Sequence, residues 1–188
     1  MAEVKGVLLN GWMRFLKKRF GDAAVAAALQ ACSPEDRAIL SGVFLAASWY
    51  PYDFLHTLRR LTRSLARPTD QHLATEIGRA MANHVFTGVY HPLLAQAPSQ
   101  RVEMFQVTVE FSYREAIRVD ARMIDDTSCA VRYVYEGGAR PSRAICESIA
   151  GFWSQTLELT GASSAEYEHP ECMAGGHPSC QFTFRWRA

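Results

Sequence analysis

The segment His169-Pro170-Glu171-Cys172-Met173-Ala174-Gly175-Gly176-His177-Pro178-Ser179-Cys180-Gln181-Phe182-Thr183-Phe184-Arg185-Trp186 is the most informative in the chain. In its second half Cys180, Phe182, Phe184 and Trp186 alternate with Gln181, Thr183 and Arg185. A period of two with one apolar face is the mark of a half-buried strand. In its first half Gly175-Gly176 permits a tight loop between Cys172 and Cys180, because glycine takes backbone angles closed to other residues. The stretch reads as a loop that returns two thiols to one point, followed by a strand with an aromatic inner face.

Working backwards, Pro141 introduces a helix carrying Ile145, Ile149, Phe152, Trp153 and Leu157, stopped by Gly161. Cys146 lies in its first turn, on the stripe with Ala150, Trp153 and Leu157. Ile117, Val119 and Ala121 alternate with Arg118, Asp120 and Arg122, and Val131, Tyr133 and Tyr135 alternate with Arg132 and Val134, with Gly137-Gly138 closing that pair as a turn. Upstream of residue 115 the periodicity is helical. Met13 to Phe20 and Asp22 to Ala31 read as helices punctuated by Gly21, and Ser33-Pro34-Glu35-Asp36 as an N-cap followed by a first turn. Phe54, Leu58, Leu61 and Leu65 form one apolar stripe, ended by Pro68. Leu73, Ile77, Met81 and Val85 form another in a helix from Asp70 to about Val89, and Val102, Phe105 and Val109 suggest one more. Helices first and antiparallel strands later predict an α+β fold with helices packed on a small antiparallel sheet. The expected organisation is a single domain over 1–188, with 1–114 mostly helical and 115–188 holding strands, one helix and the cysteine loop.

Composition fits that reading. A chain of 188 residues buries roughly 70% of its unfolded surface and makes a core without a staple. Its 48% hydrophobic and 21% charged residues exclude disorder. A net charge of +1 does not imply nucleic acid as a partner. Gly42 to Tyr52, the longest apolar stretch, is about half of what a bilayer-spanning helix needs. Asn10 and Gly11 interrupt the early run Val7-Leu8-Leu9, unlike a secretory leader. The expectation is a soluble, cytoplasmic protein whose five cysteines are thiols or metal ligands rather than disulfides.

Three cysteines and a histidine become a candidate metal site on this basis. His169 precedes Cys172 by three residues, and the helix that runs out and comes back brings Cys146 towards the loop. Three thiolates and one imidazole satisfy a tetrahedral zinc ion and leave no open position for catalytic water, so the zinc would be structural. Glu171 and His177 compete as ligands, and the opposing reading of Cys180 is a core residue, since free cysteine is commonly buried.

At these residues the half from about Ile117 to Trp186 resembles the vinyl-4-reductase domain, the small-molecule sensor of phenol- and xylene-responsive activators. That fold is similar to the TRAPP vesicle-tethering subunits. The resemblance implies zinc held by a helix cysteine at Cys146, by Cys172 and Cys180, and by His169 where the phenol sensors have a carboxylate. It also implies a pocket for a small hydrophobic or aromatic molecule, with Phe105, Tyr133, Trp153 and Tyr167 as its candidate lining. The family's phenol anchor, a histidine and a tryptophan, is missing: no tryptophan lies between Trp49 and Trp153, and the nearest histidine is His91. In the N-terminal half Val4-Lys5-Gly6, Arg19-Phe20-Gly21 and Trp49-Tyr50-Pro51 resemble an uncharacterised myxobacterial paralogous family of about this length.

The function these features imply is binding or sensing of a small hydrophobic molecule, with the response passed to a separate downstream protein. The alternative is a homodimeric scaffold of TRAPP-like fold that joins through its N-terminal helices. An accessory enzyme of tetrapyrrole metabolism is the third reading. No G-x-S-x-G, P-loop or dinucleotide fingerprint is present, so no enzyme activity is expected. Arg59, Arg63 and Arg67 read as a solvated helical face, His56 and His72 as surface residues, and His84 as a core histidine.

Overall fold

Two antiparallel sheets organise the computed structural model, which describes residues 1–87, 91–94 and 98–187. The first is small: β1 (Glu3–Lys5) pairs with β2 (Trp49–Pro51) on one side and β3 (Tyr113–Arg114) on the other. The second holds β4 (Ile117–Asp125), β5 (Ser128–Tyr135), β6 (Ser164–Glu171) and β7 (Cys180–Arg187), in the order β4-β5-β7-β6. The helices are α1 (Gly6–Phe20), α2 (Asp22–Ala31), α3 (Pro34–Leu40), α4 (Phe54–Leu65), α5 (Leu73–Phe86), α6 (Pro98–Ser112) and α7 (Arg143–Leu159), with short 3-10 turns at His91–Leu94 and Met173–Gly175. This is the α+β arrangement expected. Val89, the expected end of α5, lies outside the described residues.

Helix α7 is the hinge of the packing: it contacts β6 and β7 on one side and α5 on the other. The crossing with α5 is close enough that two glycines make it possible. A Cβ on Gly78 would lie 1.8 Å from the Ser148 carbonyl oxygen, and one on Gly151 would lie 2.2 Å from that of Thr75. Arg79 pairs with Glu158 across the same interface, and Glu158 also accepts the Ala165 N–H. Helix α6 lies on β4, α1 on α5, and α4 on α1, with the Trp12 indole N–H donating to the Thr62 hydroxyl at 3.0 Å.

The strands bury the faces that alternation assigns. Cys180, Phe182, Phe184 and Trp186 are buried on β7, as are Val131, Tyr133 and Tyr135 on β5. Several details differ from the sequence reading, each for a local reason. Helix α1 begins at Gly6 rather than Met13, because Val7, Leu8, Leu9, Trp12 and Leu16 form one buried stripe and Asn10 donates to the Phe44 carbonyl instead of breaking the helix. The β4–β5 hairpin turns on Asp125, whose carboxylate accepts from the Thr127 N–H and the Ser128 hydroxyl. Gly137-Gly138 instead leads β5 towards α7. His56 is buried, not a surface residue, and bonds the Arg140 carbonyl at 3.0 Å. The strands β1, β2, β3 and β6 had no clear period-two signal, the first three because two or three residues are too short to show one.

Candidate functional site

The four residues singled out for metal converge. Cys146 enters from the first turn of α7, His169 from β6, Cys172 from the end of β6, and Cys180 from the first position of β7. One donor atom from each lies within 4.8 Å of all the others, and all four residues are buried. The Sγ atoms are separated by 3.5 Å (Cys146–Cys180), 3.8 Å (Cys146–Cys172) and 3.9 Å (Cys172–Cys180). A tetrahedral cation with metal–thiolate bonds of about 2.3 Å has edges of about 3.8 Å. Glu171, half-buried, and His177, exposed, stand outside this group.

Local structure explains how β6 aims His169 inward. The pairing of β6 with β7 slips between Glu168 and Glu171, so that His169 and Pro170 together oppose Phe182. Pro170 has no N–H to leave unpaired at such a bulge. The imidazole stacks on the Phe182 ring at 4.0 Å. Neither of its ring nitrogens has a hydrogen-bond partner although both are buried. Leaving such a group unsatisfied costs about 1–3 kcal/mol. Gly176, at φ 90°, then turns the loop back towards Cys180.

Two further contacts support charge on the sulfurs. The Tyr135 hydroxyl lies 3.2 Å from Cys146 Sγ, and the Met173 N–H donates to Cys180 Sγ at 3.3 Å. The hydrogen bond between Cys146 and Cys180 holds the Cys180 thiol well below the ordinary range and drives Cys146 above it, and burial raises Cys172. The three thiols titrate as a set, and the thiolate form is the one that binds metal. Cys129 is separate, its thiol pushed up to about 12 by burial. Cys32 is half-buried elsewhere. No pattern in the sequence pointed to Tyr135 as a partner of Cys146.

The four aromatic candidates divide. Trp153 lines a cavity of about 20 Å³ among α1, α5, α6 and α7, together with Leu8, Met81, Val109, Tyr113 and Phe152. Phe105 stacks on Trp153 at 3.7 Å and meets Phe184 edge-on. Tyr133 packs on Phe182 at 5.4 Å. Tyr167 lies against Phe182 and Phe184, and its hydroxyl is 2.8 Å from that of Thr75. These rings form one connected aromatic cluster around Phe182 and Phe184 of β7.

No protein-family profile matches the chain, and no curated protein does. Solved structures do. The H-NOX protein from S. oneidensis in its Fe(II)NO state superposes with a TM-score of 0.69 at 15% identity, over 98% of this chain and 99% of that one. The unliganded Fe(II) H-NOX protein from K. algicida gives 0.63 at 18%, over 98% and 97%. A further neighbour, from work on haem redox potential and porphyrin distortion, gives 0.66 at 13%. H-NOX denotes haem nitric oxide/oxygen binding. The resemblance to vinyl-4-reductase and TRAPP-like domains is therefore corrected, and the scaffold alternative loses the TRAPP-like label on which it was built. The expectation of zinc as the cofactor is corrected by the same finding: what the neighbours' descriptions name is Fe(II) and haem.

Among the described residues, the lining does not fit haem. The interior cavity is about 20 Å³, room for roughly one water, against the ~300–1,000 Å³ of pockets that take cofactor-sized ligands. The Phe105–Trp153 stack and Phe152 fill the space beside it. None of the six histidines lines it: His56 is bonded to Arg140, His72, His91 and His177 are exposed, His84 faces a surface groove, and His169 sits with the thiols. What the likeness carries is architecture, and in architecture this chain is folded as the H-NOX domains are.

Proposed function

We propose that this chain is a sensory binding module that works without haem, holds a thiophilic divalent cation between Cys146, His169, Cys172 and Cys180, and passes its state to a separate protein. One observation carries the reading: three thiols and an unpartnered imidazole, all buried, stand at the spacing of a tetrahedral donor set. When bound, the cation would neutralise the thiolate charge and cross-link α7, β6, the loop and β7. With four protein ligands it has no open position, so it does not itself take up a ligand. Around it Tyr135 and the Met173 N–H orient two of the sulfurs, and Phe182 fixes the plane of the His169 ring. The ligand we assign is a small apolar molecule admitted at the Trp153 cavity, whose wall is mostly hydrocarbon. As it stands the cavity has room for roughly one water-sized guest. Anything larger displaces the Phe105–Trp153 stack and so moves α6 against α7, which is how occupancy would reach a partner.

The test is elemental analysis and absorption spectroscopy of protein made in cells supplied with iron and a haem precursor. We expect one divalent metal per chain, absent from Cys180→Ser, and no stoichiometric haem band. Metal-free parent protein, or haem at one per chain, refutes the proposal.

A further inference from the structure

A second site lies on the outer face of α1 and α5, apart from the thiol centre and independent of the reading above. A groove of about 530 Å³ runs between them, lined by Arg14, Phe15, Lys18 and Arg19 of α1 and by Asn83 and His84 of α5, with Thr87 just beyond. That volume lies within the ~300–1,000 Å³ of small-molecule pockets. Four of its residues carry or accept positive charge, and among the described residues no carboxylate lines it.

The pairing of these cations is uneven. Arg19 reaches Asp70 at 3.0 Å. Arg14 and Lys18 have no salt-bridge partner among the described residues, although Arg60, Arg79, Arg114, Arg118, Arg140, Arg143 and Arg185 each have one. Their spacing of four places both on one face of α1, one turn apart. The half-buried His84 ring faces the same groove, and Phe15, Gly11 and Ala80 supply apolar wall. Burial and the charge of Arg14 both lower the His84 pKa, which records the positive field at this place. The net charge of the chain is only +1, so the groove is more basic than the chain as a whole.

We infer that this groove binds a small molecule carrying a phosphate group, held by Arg14, Lys18 and His84, with its apolar portion against Phe15. A guanidinium, an ammonium and an imidazole offer three donors on the rim of a bounded concavity. A compact phosphate matches that set better than a long polyanion does, because the donors converge on a single bounded groove.

Phosphate of this kind comes from a soluble metabolite or from a lipid headgroup. The experiment is therefore an NMR titration of the full chain with pyrophosphate, paired with sedimentation on phosphatidylcholine vesicles containing phosphatidic acid. The site predicts saturable shifts of the His84 ring and the Arg14 side chain, or vesicle binding. Either response weakens at least tenfold in Arg14→Gln/Lys18→Gln and stays within twofold in Lys17→Gln/Arg63→Gln, which removes the same charge elsewhere. Response to pyrophosphate assigns a soluble phosphate, and response to vesicles alone assigns a headgroup. Equal weakening in both double variants, or no response to either probe, overturns the inference. All four substituted positions are exposed, so the variants should melt like the parent.

Discussion

Gly78→Ala tests the contact on which the helical layer rests. The added methyl would lie 1.8 Å from the Ser148 carbonyl oxygen and 2.7 Å from the Phe152 nitrogen. Both are backbone atoms, so no side chain can rotate away, and α5 must move from α7 by on the order of 1 Å to restore ordinary contact. Overpacking of this kind costs about 1–3 kcal/mol and occasionally more. Alanine returns up to about 1 kcal/mol of helix propensity. With backbone on both sides, we place the overpacking above that range and the net loss at about 2–3 kcal/mol. At roughly 2–4 °C per kcal/mol for a chain of this length, Tm falls by about 4–12 °C. The assay is thermal and urea unfolding followed by circular dichroism, with the urea slope unchanged. Gly175→Ala is the control, since its methyl would come no nearer than 3.9 Å to His177. Gly151→Ala strains the same crossing against Thr75, so the double variant should lose less than the sum of the two, because parting the helices once relieves both. A Gly78→Ala protein that melts at or above the parent refutes the α5–α7 crossing described here.

Two further predictions concern buried ionisable groups. Cys172→Ser and Cys180→Ser should each abolish metal binding and lower Tm, because one ligand lost disconnects helix, loop and strand together; Cys129→Ser, buried but outside the cluster, should keep its metal, and parallel metal loss in all three would contradict the assignment. Burial lowers the His56 pKa below its usual 6.5. Protonation therefore favours the unfolded chain, and the stability this residue contributes is full above pH 6.5 and declines as the pH falls below it. Its ring resonances in a pH titration of the folded protein should have a midpoint under 6.5; a midpoint at or above that value shows the ring is not buried.

Much of the architecture is written in periodicity. The stripe Leu73, Ile77, Met81, Val85 and the alternation from Cys180 to Trp186 each bury the face they mark, because removal of apolar area from water rewards one spacing per element. The thiols were legible for a different reason: sulfur and imidazole are rare enough that a Gly-Gly loop between two of them stands out. His84 was misread because helical spacing alone does not say what faces a residue. It lies half-buried beside Arg14 across a groove that α1 leaves open. Tyr135 was invisible as a partner of Cys146 because their contact depends on how α7 lies over β5.

The sequence by itself determined the class of the fold, the elements from α4 onwards other than β3 and β6, and the three cysteines that the fold brings together. Only the tertiary structure decided which of His169, Glu171 and His177 joins the sulfurs, since a one-residue slip between β6 and β7 controls which way each side chain turns. Only it could separate the H-NOX arrangement from a TRAPP-like one, because both put helices beside an antiparallel sheet and local patterning does not encode the order of strands. And only it showed an interior filled by the Phe105–Trp153 stack, since whether two rings fill a cavity or line it depends on how α6 lies against α7, which no local pattern encodes.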